Sequence, residues 1–506
     1  MITFIDSFEK IVEKKKNDTA VERNNETLSF EELREKALCL AELIIGKTAY
    51  SRKSLVAVLL PKEINAVIAD VGIMYASDFF MNLDVKTPSE RIANILSLAK
   101  PDLIITSHKY AGVIDESSNR ILFIDDVEWT SQSDTDTIYK RQESVIDTDP
   151  MCVINTSGST GVPKGVVLNY RSFEDFMKQS RNVFGLNGTE VMGSLSPIVF
   201  DIFDFELCSL MVYGSKLVLI DAMLSAFPAR LLQYVNEKKV SFIFWVPSIM
   251  VNIANMELLD KVSLPDLRMV WFAGEVFPTK QFNYWYDKLP GVTFANLYGP
   301  IEITLDCTYY IVKGRPDEKE PLPIGVPYSN TDILILNDRD ELCGIDEEGE
   351  LCVRGTGLAM GYYNNPEKTG KAFVQNPLNN SYPETIYRTG DIVCMRQDGN
   401  ILFKGRRDSL IKHMGYRIEL GEIEHVIDND LKLVRRCCAV YKKETKEIVL
   451  YYENTEEVSD KAFRVELSKV FPSYMIPKVF IRLPQMPENT NGKIDRLLLS
   501  QKVNER

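Results

Sequence analysis

The sequence predicts an α/β protein with a large N-terminal domain of mostly parallel sheets and a β-subdomain, followed by a small C-terminal α+β domain. Three observations predict it. Short apolar runs alternate with helix-like stretches through the first three hundred residues, which is the βαβ pattern of a largely parallel sheet. From about Asp332 to Phe403 the pattern changes to short strands separated by Gly, Asn and Asp turns, which suits a small β-subdomain. The remaining hundred or so residues carry helices and strands of their own. At 506 residues the chain exceeds what one hydrophobic core usually serves.

Each element has a local reason. Ser29 followed by Glu32 marks a capped helix start. Leu55–Leu60 is an apolar run stopped by Pro61, as buried strands are, and 103–106 and 121–124 repeat the type. Ser131 to Asp149 is polar and reads as a surface linker. Met151–Ile154 reads as a buried strand end. Further strands are expected at 216–220, 240–246, 269–273 and 292–295, with helices between them. In such a sheet, ligand loops gather at the strand C-termini. In the last hundred residues a helix is expected near 422–427, strands at 437–441 and 447–452, and a helix from about Ser459. His413 and His425 fall in polar, helix- or loop-like surroundings and His108 in a turn.

The composition excludes several classes. Net charge is −13, which argues against a broad nucleic-acid or anionic-membrane face. No apolar run approaches a membrane span, and the start lacks the charged and apolar regions of a signal peptide. Nine scattered cysteines without a CxxC pair point to reduced thiols and a cytoplasmic setting. Three histidines leave little room for a zinc site or a Ser-His-Asp triad. Catalysis is therefore expected to rest on positioning and electrostatics.

The densest chemistry is Thr156-Ser157-Gly158-Ser159-Thr160-Gly161-Val162-Pro163-Lys164-Gly165. Glycines let backbone N–H groups converge, hydroxyls add donors, and Lys164 adds charge, which suits a polyphosphate. The spacing is not that of a Walker A loop. Four further islands follow in order: Leu297-Tyr298-Gly299-Pro300-Ile301-Glu302-Ile303-Thr304, Tyr387-Arg388-Thr389-Gly390-Asp391, Gly405-Arg406-Arg407-Asp408 through Glu424, and Asn491-Gly492-Lys493-Ile494-Asp495. With the glycine loop they resemble the adenylate-forming superfamily over nearly the whole chain. Within it the chain is most similar to amino-acid adenylation domains of nonribosomal peptide synthetases and freestanding D-alanine–carrier-protein ligases; Gly274-Glu275-Val276-Phe277-Pro278 is reminiscent of the latter.

The resemblance implies two half-reactions. A carboxylate attacks the α-phosphate of ATP, releasing pyrophosphate, and a thiol then attacks the acyl-adenylate. It implies catalytic roles for Lys493, Glu302 and Lys164, with Glu302 as the Mg²⁺ ligand. ATP would be held by Thr156, Ser157, Gly158, Ser159, Thr160, Gly161, Lys164, Asn296, Tyr298, Gly299, Asp391 and Arg406. Asp391 would meet the ribose hydroxyls, Tyr298 the adenine face and Asn296 its edge. The same resemblance divides the chain into 1–407, which binds ATP and substrate, and 408–506, a mobile C-terminal domain hinged at Asp408.

By the same resemblance, Asp201 stands where amino-acid-activating members hold the substrate ammonium. The rest of the pocket would be Ile202, Phe205, Phe244, Trp271, Ala273, Leu297, Leu305 and Asp306. It is mostly bulky and apolar, so the substrate is expected to be small. Asp306 favours a serine-like side chain first and an alanine-like one second. The thiol acceptor is expected to be phosphopantetheine on a separate carrier protein. Three departures stand out: Ile301 for the usual threonine, Leu410 for glutamine, and Met414 for arginine. An acyl- or aryl-CoA ligase and an inactive nucleotide-binding scaffold are the alternatives; Asp201 argues against the first and the intact Lys164, Glu302, Asp391 and Lys493 against the second.

Overall fold

The computed structural model describes residues 3–48, 53–114, 120–129, 133–156, 163–406, 410–487 and 494–504. The chain divides into two compact units. The first comprises Met1–Val85, Lys100–Ile154 and Val166–Gly405; the second comprises Lys86–Ala99, Asn155–Gly165 and Arg406–Arg506.

Among the described residues the first unit is built on two mixed, largely parallel sheets and a smaller antiparallel one. In the nine-stranded sheet the strands Val191–Ser194, Lys216–Leu219, Phe242–Trp245, Met269–Phe272 and Thr293–Tyr298 run parallel to one another, and Thr293–Tyr298 pairs antiparallel with Thr308–Ile311 on its other side. Strands Leu55–Leu59, Phe79–Asn82 and Leu103–Thr106 pair in parallel in the seven-stranded sheet. The expected strands are therefore present, with ends shifted by at most three residues. Their near-continuous apolar runs follow from burial on both faces. The stretch from 331 to 406 forms the five-stranded antiparallel sheet. Ser29 caps the helix Phe30–Lys47, and its hydroxyl and the Glu32 carboxylate each accept the other's backbone N–H.

Two local expectations are corrected. Residues 131–149 are not a simple surface linker, because Thr135–Gln142 is a helix with Ile138, Arg141 and Gln142 buried. Gln142 Nε2 donates to the carbonyls of Met74 and Tyr75 at 2.6 and 2.9 Å, and Arg141 Nε donates to that of Ala76 at 3.0 Å. The polar side chains are buried because they satisfy the open carbonyl end of the helix Ile64–Tyr75. His413 also differs: it ends the strand Leu410–His413 and is buried beside the Tyr441 hydroxyl at 3.2 Å.

The second unit is α+β. Strands Arg436–Lys442, Glu447–Glu453 and Val479–Leu483 form one sheet, with helices Asp460–Val470 and Arg496–Asn504. Ser459 caps the first of these helices. The helix expected near 422–427 begins two residues earlier, at Leu420. A hairpin pairs Leu410–His413 with Tyr416–Glu419, and its two turn residues, Met414 and Gly415, have φ of 52° and 82°. Both signs suit the strand twist of a two-residue hairpin.

The first unit also buries carboxyl groups hydrogen-bonded to neutral side chains. Asp70 lies in the helix Ile64–Tyr75, and Asn82 Nδ2 donates to its Oδ2 at 3.0 Å. Asp204 meets the Cys152 thiol at 3.6 Å. Burial pushes the Asp70 carboxyl up to about 8. Burial, with the Asp70 charge added, pushes Asp204 well above the usual carboxylate range. A folded protein that keeps such protons loses stability as pH rises, because the unfolded chain has already released them. For Asp70 the contribution is fully present below about pH 4 and gone above about pH 8, a swing on the order of a few kcal/mol. Urea midpoints are expected to fall between about pH 5 and about pH 9, and Asp70→Asn to flatten that fall. Parallel pH profiles for the two proteins would contradict this.

Candidate active site

Strand alternation sorts the candidate residues into two groups. Phe244, Trp271 and Ala295 are in register on adjacent parallel strands, as are Trp245, Phe272 and Asn296. Side chains two apart share a face. Phe244, Trp271, Ala273 and Leu297 therefore face the core cluster that also holds Ile202, Phe205 and Leu305. Trp245 and Phe272 pack into a separate cluster on the opposite face. Asn296 and Tyr298 alternate with Leu297 and point away from the first group. The residues expected to line a side-chain pocket and those expected to meet a nucleotide are thus separated by one step along one strand.

In the first group, Asp201 is half-buried and opens the helix Asp201–Tyr213. A carboxylate in the first turn is favoured by the helix dipole. Phe205 follows one turn later on the same face, fully buried. Asp306 reaches this region through an unusual turn. Thr304 and Leu305 have φ of 54° and 64°, a left-handed conformation that costs on the order of 1–3 kcal/mol for residues with a Cβ. Gly299 makes the turn possible, since a Cβ there would lie 2.2 Å from the Leu305 carbonyl oxygen. Asp306 is buried, and its charge, after burial itself, holds the nearby Tyr328 hydroxyl well above its usual pKa.

In the second group, the Tyr298 hydroxyl donates to Asp391 Oδ2 across 93 residues of sequence. The Thr389 hydroxyl accepts the Asp391 N–H at 2.9 Å and donates to the Leu351 carbonyl at 2.7 Å, which fixes the backbone where the register of the strand Thr385–Met395 shifts. Asn296 Nδ2 donates to the Pro323 carbonyl at 2.7 Å. Glu302 is fully buried in the short turn Ile301–Ile303, and its Oε1 accepts from the Tyr362 hydroxyl at 2.8 Å. Ile301 packs half-buried against the core.

In the second unit, Thr156 ends the strand Pro150–Thr156 and Lys164 opens the strand Lys164–Asn169. Lys164 Nζ lies 3.3 Å from Glu419 Oε1. Arg406 closes the strand Ile401–Arg406. Leu410 is buried, whereas Met414 is exposed at the hairpin tip. Ser157, Gly158, Ser159, Thr160, Gly161, Asp408 and Lys493 lie outside the described residues. Pro487 and Asp495, on either side of the segment containing Lys493, are joined by an N–H···O bond of 2.8 Å.

Residues 8–363 match the family of AMP-binding enzymes. The chain belongs to that family. Its adenylate-forming relatives include bacitracin synthase 1 of Bacillus licheniformis, 32% identical over 99% of this chain and 9% of the relative. Gramicidin S synthase 1 of Brevibacillus brevis is 30% identical over 98% of this chain and 44% of the relative. The chain thus spans less than half the length of these two synthases. Zwittermicin A synthase ZmaJ of Bacillus cereus is 29% identical, covering 97% and 94% of the two chains. Among solved structures, the Vibrio cholerae adenylation domain AlmE, in complex with glycyl-adenosine-5'-phosphate, superposes with a TM-score of 0.85. It is 21% identical, over 100% of this chain and 98% of that one, and so shares the fold of this AMP-binding enzyme. No helix among the described residues is long and apolar enough to cross a membrane.

Sequence reasoning missed several residues that shape the candidate site. Tyr362 holds Glu302, Thr389 holds Asp391, and Tyr328 lies near enough to Asp306 to feel its charge. The first two stand in or beside motifs and were open to a pattern search. Tyr328 had no local signal. Asp204 and Glu206 did have one, as two buried carboxyl groups in the mostly apolar helix that Asp201 opens.

Proposed function

We propose that this chain activates a small amino acid as its aminoacyl-adenylate and passes it to the phosphopantetheine thiol of a separate carrier protein. The observation that carries the reading is Asp201, a half-buried carboxylate at a helix start beside a closely packed apolar pocket. Such a group suits a substrate ammonium and disfavours an acid without one. Its helix would align the substrate carboxylate for attack on the α-phosphate, with pyrophosphate leaving.

The paired Tyr298 and Asp391 support an adenosine site: the phenol offers a flat face and the carboxylate accepts from ribose hydroxyls. Glu302 supplies one hard oxygen, positioned by Tyr362, and fits a Mg²⁺ that takes its other ligands from phosphate and water. That ion would offset phosphate charge during transfer. Lys164 and Lys493 would add fixed positive charge. In the second half-reaction the carrier thiol attacks the acyl carbonyl and AMP leaves. Asp306 favours a serine-like side chain over an alanine-like one, because a buried carboxylate gains from a hydroxyl donor.

The test is ATP–pyrophosphate exchange with each L- and D-amino acid, alongside acetate, benzoate and a fatty acid. Exchange with a small amino acid supports the reading. Exchange only with acids lacking an amine would overturn it in favour of a CoA-ligase activity, and silence throughout would favour an inactive scaffold.

A further inference from the structure

We infer that Lys62 is a positioning residue for amino-acid activation: it clamps the backbone that leads into Asp201 and so fixes the carboxylate that meets the substrate ammonium. The inference rests on the role given to Asp201 under the proposed function and adds the residue that holds that carboxylate in place.

The helix Asp201–Tyr213 lacks the usual means of locating its start. Phe200 occupies the N-cap, and a phenyl ring cannot accept the N–H groups of the first turn. The place of Asp201 is then set by the segment that enters the helix, residues 195–200, which follows the strand Val191–Ser194. Within it the Phe200 N–H donates to the Pro197 carbonyl at 3.1 Å, and the Phe203 N–H donates to that of Phe200 at 3.0 Å. These turns run on into the helix, so a displacement at 196 passes to Asp201.

Lys62 holds this segment from the other large sheet. It follows the strand Leu55–Leu59 of the seven-stranded sheet, whereas Val191–Ser194 belongs to the nine-stranded one. Lys62 Nζ donates to the Ser194 carbonyl at 2.8 Å and to the Ser196 carbonyl at 2.9 Å. The Ser194 carbonyl also accepts the Ile220 N–H at 2.8 Å, so the ammonium is not needed there to satisfy an orphaned acceptor. Gripping 194 and 196 together fixes both the strand end and the direction of the chain beyond it, through charge-assisted bonds. The Lys62 charge also reaches the helix itself. Glu206 is buried in that helix; burial pushes its carboxyl up to about 7, and Lys62 opposes the rise.

The far end of the same strand and helix carries a matched clamp. Lys15 Nζ donates to the carbonyls of Gly188 and Gly214 at 2.6 and 2.7 Å. Gly214 is the C-cap of the helix, where open carbonyls and the dipole favour a cation for stability alone. The two lysines make the same pair of bonds at opposite ends, and Lys62 acts at the end that carries Asp201.

The test measures pyrophosphate exchange with alanine against propionate, and with serine against 3-hydroxypropionate, in the wild type, Lys62→Met and Lys15→Met. Lys62→Met should lower the preference for the amine by about tenfold or more. It should do so by raising the KM for the amino acid, with the KM for ATP unchanged. Lys62→Gln serves if the methionine variant does not fold, and thermal melts establish that folded proteins are compared. Lys15→Met should leave the preference unchanged within about twofold, since distant sites act independently. In an Asp201→Asn background Lys62→Met should lower the preference no further, because both act on one anchor. A wild-type preference in both Lys62 variants, an equal loss in Lys15→Met, or a loss that adds in full to that of Asp201→Asn overturns the inference. A preference lost in Asp201→Asn but kept without Lys62 overturns this inference alone. A wild type that does not favour the amine overturns the reading of Asp201 and this inference with it.

Discussion

Lys493→Ala is expected to lower amino-acid-dependent ATP–pyrophosphate exchange by roughly 10²–10³-fold. Transfer to the carrier thiol from a supplied aminoacyl-adenylate should remain largely intact. The physical reason is where charge accumulates. Adenylation brings a carboxylate against an α-phosphate, and a fixed cation between them stabilises the transition state more than the ground state. Thiol attack on the finished adenylate needs no such bridge. Lys478→Ala serves as the control, because Lys478 is exposed and paired only loosely with Glu447 at 3.5 Å. Exchange should be unchanged in that variant. Adenylate formation at the wild-type rate in Lys493→Ala would remove the lysine from the mechanism.

Asp201→Asn should cost amino-acid activation about 3 kcal/mol, roughly a hundredfold in kcat/KM, the lower end of the range for breaking a buried ion pair because Asp201 is only half-buried. Asparagine keeps the size and removes the charge that meets the ammonium. The discriminating measurement is the matched acid without the amine, propionate against alanine. Its weak exchange should change little, so the preference for the amine collapses. Asp201 also opens a helix, and losing a first-turn carboxylate costs on the order of 0.3–1 kcal/mol of stability. A thermal melt separates that small effect from the catalytic one. An unchanged preference for alanine over propionate would show that the ammonium is held elsewhere.

Legibility in the sequence followed the range of the interaction. The Ser29–Glu32 capping box lies within one helical turn, so the pattern and the structure agree. The parallel strands were visible because burial on both faces demands apolar runs, and only their ends shifted. The polar stretch at 131–149 was misread for the opposite reason. What buries Arg141 and Gln142 is a set of carbonyls at 74–76, more than sixty residues away.

The site divides the same way. The motifs around Glu302 and Asp391 are local in sequence because a turn or a strand irregularity and the side chain it presents must be built together. Their orientation is not local. Tyr298 meets Asp391 and Tyr362 meets Glu302 only after the sheets have assembled.

By itself, then, the sequence determined the α/β class, the order of the elements and the adenylate-forming family, since each depends on spacing along the chain. Only the tertiary structure decided which aromatic rings meet and which carboxyls are buried. Trp271 is enclosed by Phe205 and Phe184 from two different helices, and the Asp70 and Asp204 carboxyls are pushed up because packed neighbours exclude water. Both are consequences of close packing between distant segments, for which no run of neighbouring residues carries a signal.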